Sequence, residues 1–261
     1  MLKNRLIPVL FLKNGFLVRS ELFSIHQNIG NPVSQVERYN DWDVDELIYI
    51  DISEKQIYDR GREDATIQNP NSLPDIIKMV SKKCFMPLTF GGGIRSIDDI
   101  RERISLGADK VTINTAAINN PEFIKEASEE FGRQAIIVSI DFKKENSGYV
   151  VYSEKGTKRT DWDPVSWAKK AELHGAGEIF FNSIERDGMA CGYDLEICKK
   201  VCDAVKIPVI ICGGVGRYKD FKLGLEKTNA SAVAAGNIFN FKELSYILAK
   251  KELSKSNFNI R

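Results

Sequence analysis

One acid and two glycine clusters carry the chemistry this chain can offer, and they sit in a sequence written twice. Residues 86–94 read MPLTFGGGI and residues 207–215 read IPVIICGGV. Gly91, Gly92 and Gly93 lead on to a run ending in Asn114 and Thr115. Gly213 and Gly214 lead on to one ending in Gly236 and Asn237. Glycines after a strand let backbone N–H groups approach an anion, and the start of the next helix adds a favourable dipole. The amide and hydroxyl groups that follow can complete each site, so two phosphate sites are expected. A duplicated site suits a substrate with two phosphates, or a pseudo-symmetric one. Earlier in each half, IPVLFLKNG (7–15) matches IIVSIDFKK (136–144) in the register that sets Ile7 against Ile137, and so Phe11 opposite Asp141. Asp141 closes an apolar run, and a carboxylate so placed can move protons if its pKa is raised. A phenyl ring can do neither, so the pairing marks a lost acid.

Other groups gather around these. Asp51 ends a strand-like run, and Asp187 and Asp194 follow another; for the last two, loop capping and function both remain open. At the opposite ends of the strands stand Arg5, Glu46, Lys110 and Glu178. Alternating charges there form either an ion-pair plug or a gate for something small that passes along an axis. The five cysteines, Cys84, Cys191, Cys198, Cys202 and Cys212, come without a secretory segment, so reduced thiols in a cytoplasm are expected. Cys198 and Cys202 are four residues apart, but nothing else lies at ligand spacing, and no metal is expected. Cys84 and Cys212 lie in or beside apolar runs and are expected to be core thiols. His26 reads as a loop residue and His174 as a helix end.

The elements that must position these groups alternate. Short apolar runs near 5–11, 46–52, 86–90, 110–114, 135–141, 177–182, 207–212 and 231–236 read as buried strands. Amphipathic stretches near 32–43, 72–83, 97–106, 121–131, 163–174, 194–204, 218–226 and 241–252 read as helices. Asn120-Pro121 and Asp163-Pro164 suit helix starts. Strict alternation predicts the α/β class and a (β/α)₈ TIM barrel built from two half-barrel repeats, with residues 1–261 as one domain. Loops are expected over 12–31 and 53–71, the latter as a mobile flap, with a hairpin over 143–162 and a frayed tail over 253–261.

The totals exclude little else. Hydrophobic residues make up 43% and charged residues 28% of 261, as in ordinary globular chains. With 37 basic and 36 acidic side chains the net charge is +1, which argues against a broad nucleic-acid or membrane footprint.

The motifs DELIYIDIS (45–53), GGGI (91–94), GADKVTINTAA (107–117), VSID (138–141), GAGEI (175–179), SIERDG (183–188), CGYD (191–194) and CGGVG (212–216) run nearly the whole length of the chain. In these the chain resembles the HisF family, the cyclase subunit of imidazole glycerol phosphate synthase. The resemblance implies a barrel that docks a HisH-like glutaminase at its N-terminal face, where Asp109 would lie at the interface. It implies ammonia passing along the axis, a gate made of Arg5, Glu46, Lys110 and Glu178, two phosphate sites, and neither a metal nor an organic cofactor. The family's catalytic pair maps onto Asp141 and Phe11. Its first-loop lysine maps onto Arg19, and a serine of the second phosphate site onto Asn237. With KKCFMPLTFGGGI (82–94), these departures resemble the HisF-like branch called WbuZ, associated with glycosyl amidation. That branch implies a phosphorylated or nucleotide-sugar ligand, a separate sugar amidotransferase as a further partner, and conversion of an acetamido to an acetamidino group in surface-polysaccharide synthesis. A working cyclase of histidine synthesis and a non-catalytic activator of the glutaminase are the alternatives.

Overall fold

A computed structural model describes residues 3–54, 72–256 and 258–261. Eight parallel strands form a closed barrel: β1 (Arg5–Lys13), β4 (Leu47–Asp51), β5 (Leu88–Gly91), β6 (Lys110–Ile113), β7 (Ile136–Glu145), β10 (Glu178–Ser183), β11 (Val209–Cys212) and β12 (Ala232–Ala235). They pair in that order, and closure comes from β12 on β1, with Ile7 opposite Ala234. Between them run α1 (Pro32–Asp41), α2 (Leu73–Lys83), α3 (Ile97–Ser105), α4 (Thr115–Asn119), α5 (Glu122–Phe131), α6 (Pro164–Leu173), α7 (Leu195–Ala204) and α8 (Tyr218–Thr228), with α9 (Ser245–Ser254) last. The expected strands and helices are all found, within a few residues at their ends. The expected flap over 53–71 lies almost wholly outside the described residues.

Local chemistry starts the helices. Asn31 accepts from the backbone N–H groups of Val33 and Ser34, and Asp163 accepts from those of Val165 and Ser166, each cap followed by a first-turn proline. At the third such start, Pro121 itself precedes the helix, and the Asn120 Oδ1 accepts from Glu122 N at 3.2 Å.

Because side chains alternate along a strand, the barrel has two apolar layers. Leu6, Leu10, Phe90, Val111, Val138 and Phe181 face the helices. Ile7, Val9, Phe11, Ile48, Ile137, Phe180, Ile210, Ala232 and Ala234 fill the interior. The interior is not apolar all round. Thr89 pairs with Ile48, and Thr112 with Ile137, so both hydroxyl side chains point inward with those partners. Both hydroxyls are buried without a hydrogen-bond partner. Between the strand starts and the mouth, the polar inner groups stand on β5, β6, β7 and β10, and the wall formed by β11, β12, β1 and β4 is apolar.

Both halves begin alike. β1 runs beyond the barrel and turns into β2 (Phe16–Glu21) and β3 (Ile25–Gly30), while β7 turns into β8 (Gly148–Ser153) and β9 (Lys158–Arg159). The second hairpin is as expected. The first corrects the expected loop over 12–31, and it places His26 on a strand. The turn at Leu22 and Phe23 has φ of 54° and 57°, and neither residue is of the type that signals such a turn.

The tail corrects another expectation. Asn4 N donates to Asn259 O at 2.7 Å, and Arg261 N donates to Asn4 O at 3.0 Å. Phe258 and Ile260 pack against the outer core. Residues 258–261 therefore dock beside the start of β1, where a frayed tail over 253–261 was expected. Nearby, the Tyr246 hydroxyl donates to Leu6 O and accepts from Asp45 N, both at 2.9 Å, which fastens α9 to the barrel. Among the described residues no helix is long and apolar enough to cross a membrane.

Candidate active site at the barrel mouth

The C-terminal ends of the strands open into a cavity of about 910 Å³, the face on which barrels of this kind place their chemistry. Phe11 and Asp141 both line it. They stand on β1 and β7, four strands apart in either direction round the barrel, so they face each other across the mouth. The Phe11 ring is 8% exposed and meets Phe23 edge-on at 6.4 Å.

Asp141 is buried, and its Oδ2 accepts from Asn114 Nδ2 at 2.7 Å. Burial raises its pKa most, the nearby charge of Asp187 adds to that, and bonds from Asn114 and Ser139 offset part, leaving it at about 7. A carboxyl titrating there can both give and take a proton near neutrality. Around it the Oδ1 atoms of Asn114 and Asn182 are buried acceptors without a partner. Both residues line the cavity, and Asn182 pairs with Asp141 across β10 and β7. Asn182 was not among the residues expected from sequence, and only its inward position two residues after Phe180 could have pointed to it.

The first glycine cluster reaches this cavity. Gly92 and Gly93 line it together with Arg95, Asn114 and Thr115, while Gly91 belongs to β5. Gly92 has φ +93°, and a Cβ there would collide with the Asp51 backbone, so the turn needs glycine. Asp51 also lines the cavity, and its Oδ1 accepts from Ser53 N at 3.0 Å and Ser53 Oγ at 2.6 Å.

The second cluster is elsewhere. Gly213, Gly214, Gly236 and Asn237 do not line the cavity. Asn237 Nδ2 donates to Ser20 O at 2.8 Å, and its Oδ1 accepts from Ser20 N at 3.3 Å. Gly214 has φ +102° and accepts from Gly192 N at 2.7 Å. The β2–β3 hairpin thus lies on this half of the mouth. Asp187 holds it there, accepting from Ser20 Oγ at 2.5 Å and from Phe23 N at 3.3 Å. Burial raises the Asp187 pKa, and those bonds offset only part. Arg19 pairs with Glu21 at 2.6 Å and lies over the Phe241 ring. Asp194 accepts from the Tyr149 hydroxyl at 3.1 Å and lies 3.7 Å from Arg186. Neither Arg19 nor Asp194 lines the cavity.

At the other end, the four charges expected from sequence form one closed ring. Arg5 bonds Glu46 at 2.5 Å and also bonds Glu178. Lys110 bonds Glu46 at 2.7 Å and Glu178 at 3.0 Å. Glu46 and Glu178 are 1% and 4% exposed. Burial alone would raise the Glu46 pKa, but Arg5 and Lys110 outweigh it and hold Glu46 charged. Asp109, on the same face, is exposed and accepts from Leu88 N at 2.8 Å. Cys212 sits in the inner apolar layer below the mouth, where burial pushes its thiol pKa up; burial also raises that of Cys84, to about 11. His174 caps the end of α6.

Lys13, His26, Glu54 and Lys155 also line the cavity, and none was expected there from sequence. The hairpins that carry three of them are placed by tertiary contacts.

The chain matches the model of the family described as "Histidine biosynthesis protein" over residues 5–245. It is 42% identical over its full length to a Vibrio vulnificus protein provisionally named imidazole glycerol phosphate synthase subunit hisF2, covering 92% of that protein. It is 40% identical, again over its full length, to the imidazole glycerol phosphate synthase subunits HisF of Clostridium botulinum and Dehalococcoides mccartyi, covering 100% and 99% of them. With the closed barrel, these matches across both halves make the chain a member of the HisF family of histidine biosynthesis proteins.

Proposed function

We propose that this chain is the ammonia-accepting HisF-type subunit of a two-component glutamine amidotransferase whose acceptor is not that of the ordinary cyclase. The observation that carries the proposal is Phe11 facing Asp141 across the mouth of a barrel whose opposite end keeps a complete ring of four charges.

In this reading a HisH-like glutaminase docks on the face that carries Asp109 and releases ammonia there. The ring of Arg5, Glu46, Lys110 and Glu178 admits it. The inward hydroxyls of Thr89 and Thr112 give a small polar molecule hydrogen-bonding stations through an otherwise apolar interior. At the mouth, the free acceptor oxygens of Asn114 and Asn182 orient its N–H groups. Asp141 takes a proton as nitrogen bonds to the acceptor carbon. Gly92, Gly93, Asn114 and Thr115 hold a phosphate of the ligand. The acceptor is a phosphorylated small molecule or nucleotide sugar whose acetamido group becomes acetamidino, its carbon–oxygen bond breaking and the oxygen leaving as water, with a separate sugar amidotransferase as a further partner. The place of action is the cytoplasm.

Ordinary general acid–base catalysis contributes about 10²–10⁴-fold, so a chain with one acid should turn over the imidazole-synthase substrate weakly. The test is that turnover at saturating ammonium salt, with Phe11→Asp alongside. No turnover by the wild-type chain, and its appearance in the variant, support the proposal. Ready turnover by the wild-type chain overturns it.

One observation favours a second reading, a working cyclase of histidine synthesis. Asp141, poised at about 7, could serve as acid and base in turn. In that case Phe11→Asp changes turnover little.

A further inference from the structure

Three basic side chains converge on one rim of the cavity, and none has a carboxylate partner among the described residues. Lys13 Nζ lies 3.3 Å from His26 Nδ1. Lys155 Nζ donates to the carbonyl oxygens of Ile52 and Ser53 at 3.0 and 2.9 Å. Burial, then the charges of Lys13 and Lys155, hold the His26 pKa below its ordinary value, so both ammonium groups act on the ring. The three come from different elements: the end of β1, the strand β3, and the turn between β8 and β9. The like charges of Lys13 and Lys155 repel one another at the cavity, and an anion between them relieves that repulsion while the His26 ring offers a further hydrogen bond.

Lys155 is placed there at a cost. Glu154 and Lys155 have φ of 50° and 59° in a turn closed by Gly156 N on Ser153 O at 3.0 Å. Such turns ordinarily take Asn, Asp or Gly, and side chains held in this conformation cluster where function needs them. Glu154 N also donates to Thr115 Oγ1 at 3.0 Å. The turn is therefore tied to a residue that follows the first glycine cluster.

The arrangement is lopsided. Lys13, Ser53, Gly92 and Asn114 follow or end β1, β4, β5 and β6, which are neighbours in the barrel. The glycines that follow β11 and β12 lie outside the cavity lining. Resting on the reading above, in which Gly92, Gly93, Asn114 and Thr115 hold a phosphate, we propose that Lys13, His26 and Lys155 form a second anion subsite beside the first. The cavity then takes a ligand with two adjacent phosphates, such as the diphosphate of a sugar nucleotide, rather than one with phosphates at opposite sides of the mouth. Two charge-assisted subsites side by side fit a pyrophosphate linkage, whose charges lie close together.

The test is calorimetric binding of inorganic pyrophosphate and orthophosphate to the full chain. Pyrophosphate should bind at least about tenfold more tightly than orthophosphate, as expected when a second set of charge-assisted bonds is added. Lys155→Gln and His26→Leu should each weaken pyrophosphate by about tenfold and leave orthophosphate within about twofold. Arg186→Gln, beside Gly214 of the second glycine cluster and outside the cavity lining, should change neither. Lys155 is exposed, so its variant keeps the fold, and thermal unfolding checks this for both. The proposal is overturned if wild-type chain binds neither anion, if Lys155→Gln and His26→Leu leave pyrophosphate affinity unchanged, if both anions weaken equally, or if Arg186→Gln alone weakens pyrophosphate. These measurements use neither ammonia nor a glutaminase. Their failure leaves the ammonia-accepting reading standing, and ready cyclase turnover would not alter the affinities.

Discussion

The side-chain amide of Asn237 grips both backbone polar groups of Ser20, donating to its carbonyl at 2.8 Å and accepting from its N–H at 3.3 Å. Residues 217 positions apart in the chain thus form a pair like that of two strands. Together with Asp187 on the Ser20 hydroxyl, the grip holds the β2–β3 hairpin over the second glycine cluster. Asn237→Ala removes two hydrogen bonds, each worth about 1 kcal/mol. Amide exchange across residues 16–30 should then rise by roughly tenfold or more, with the barrel strands unchanged. Unaltered exchange in the hairpin would mean that Asp187 alone holds it.

Asp141 makes stability depend on pH in an unusual direction. Its pKa is raised on folding from 3.8 to about 7. The folded chain therefore binds the extra proton between those values, and stability falls as pH rises through that window. Asp141→Asn keeps an acceptor for Asn114 and removes the buried charge. At pH 8 the variant should be more stable than wild type by roughly 2–4 kcal/mol, and at pH 4 nearly equal to it. Urea unfolding at the two pH values measures the difference. The same variant should lose mouth chemistry at both.

The charge ring should separate two sources of nitrogen. Glu178→Gln leaves Arg5 and Lys110 sharing Glu46 alone, and breaking a largely buried ion cluster costs about 1–3 kcal/mol when its cations keep some water. Product formation fed by glutamine and the partner should fall several-fold. Formation fed by ammonium salt from the mouth side should stay near wild type. Equal losses from both sources would mean that the ring is only structural.

Tyr246 fastens the last helix through two backbone groups of different strand regions, Leu6 O and Asp45 N. Tyr246→Phe leaves both buried and unmatched at a cost of about 1–3 kcal/mol. Chemical denaturation should show the loss with an unchanged slope, because the surface exposed on unfolding is the same.

The barrel was legible because buried parallel strands such as 209–212 are apolar on both faces and the helices between them carry their own caps, as at Asp163. The charge ring was legible because strand starts put Arg5, Glu46, Lys110 and Glu178 on one face. The first hairpin was not, since its turn uses Leu22 and Phe23 where asparagine or glycine would give it away. The docked tail was hidden for a similar reason: among its described residues a polar stretch offers Phe258 and Ile260 as apolar anchors, and its other ties are backbone bonds to Asn4. Nor could sequence show that the second glycine cluster would be overlaid, or that Lys155 would arrive beside Ser53, because both depend on contacts more than a hundred residues apart.

The smallest side chains of the inner apolar layer are two alanines. Ala232 and Ala234 lie on β12, directly across from Thr112 on β6. Every added methyl on that side narrows the bore without touching the polar side. In the proposed passage of ammonia along the axis, alanine-to-valine changes there would act as a throttle, slowing its delivery while the reagents at either end stay as they were.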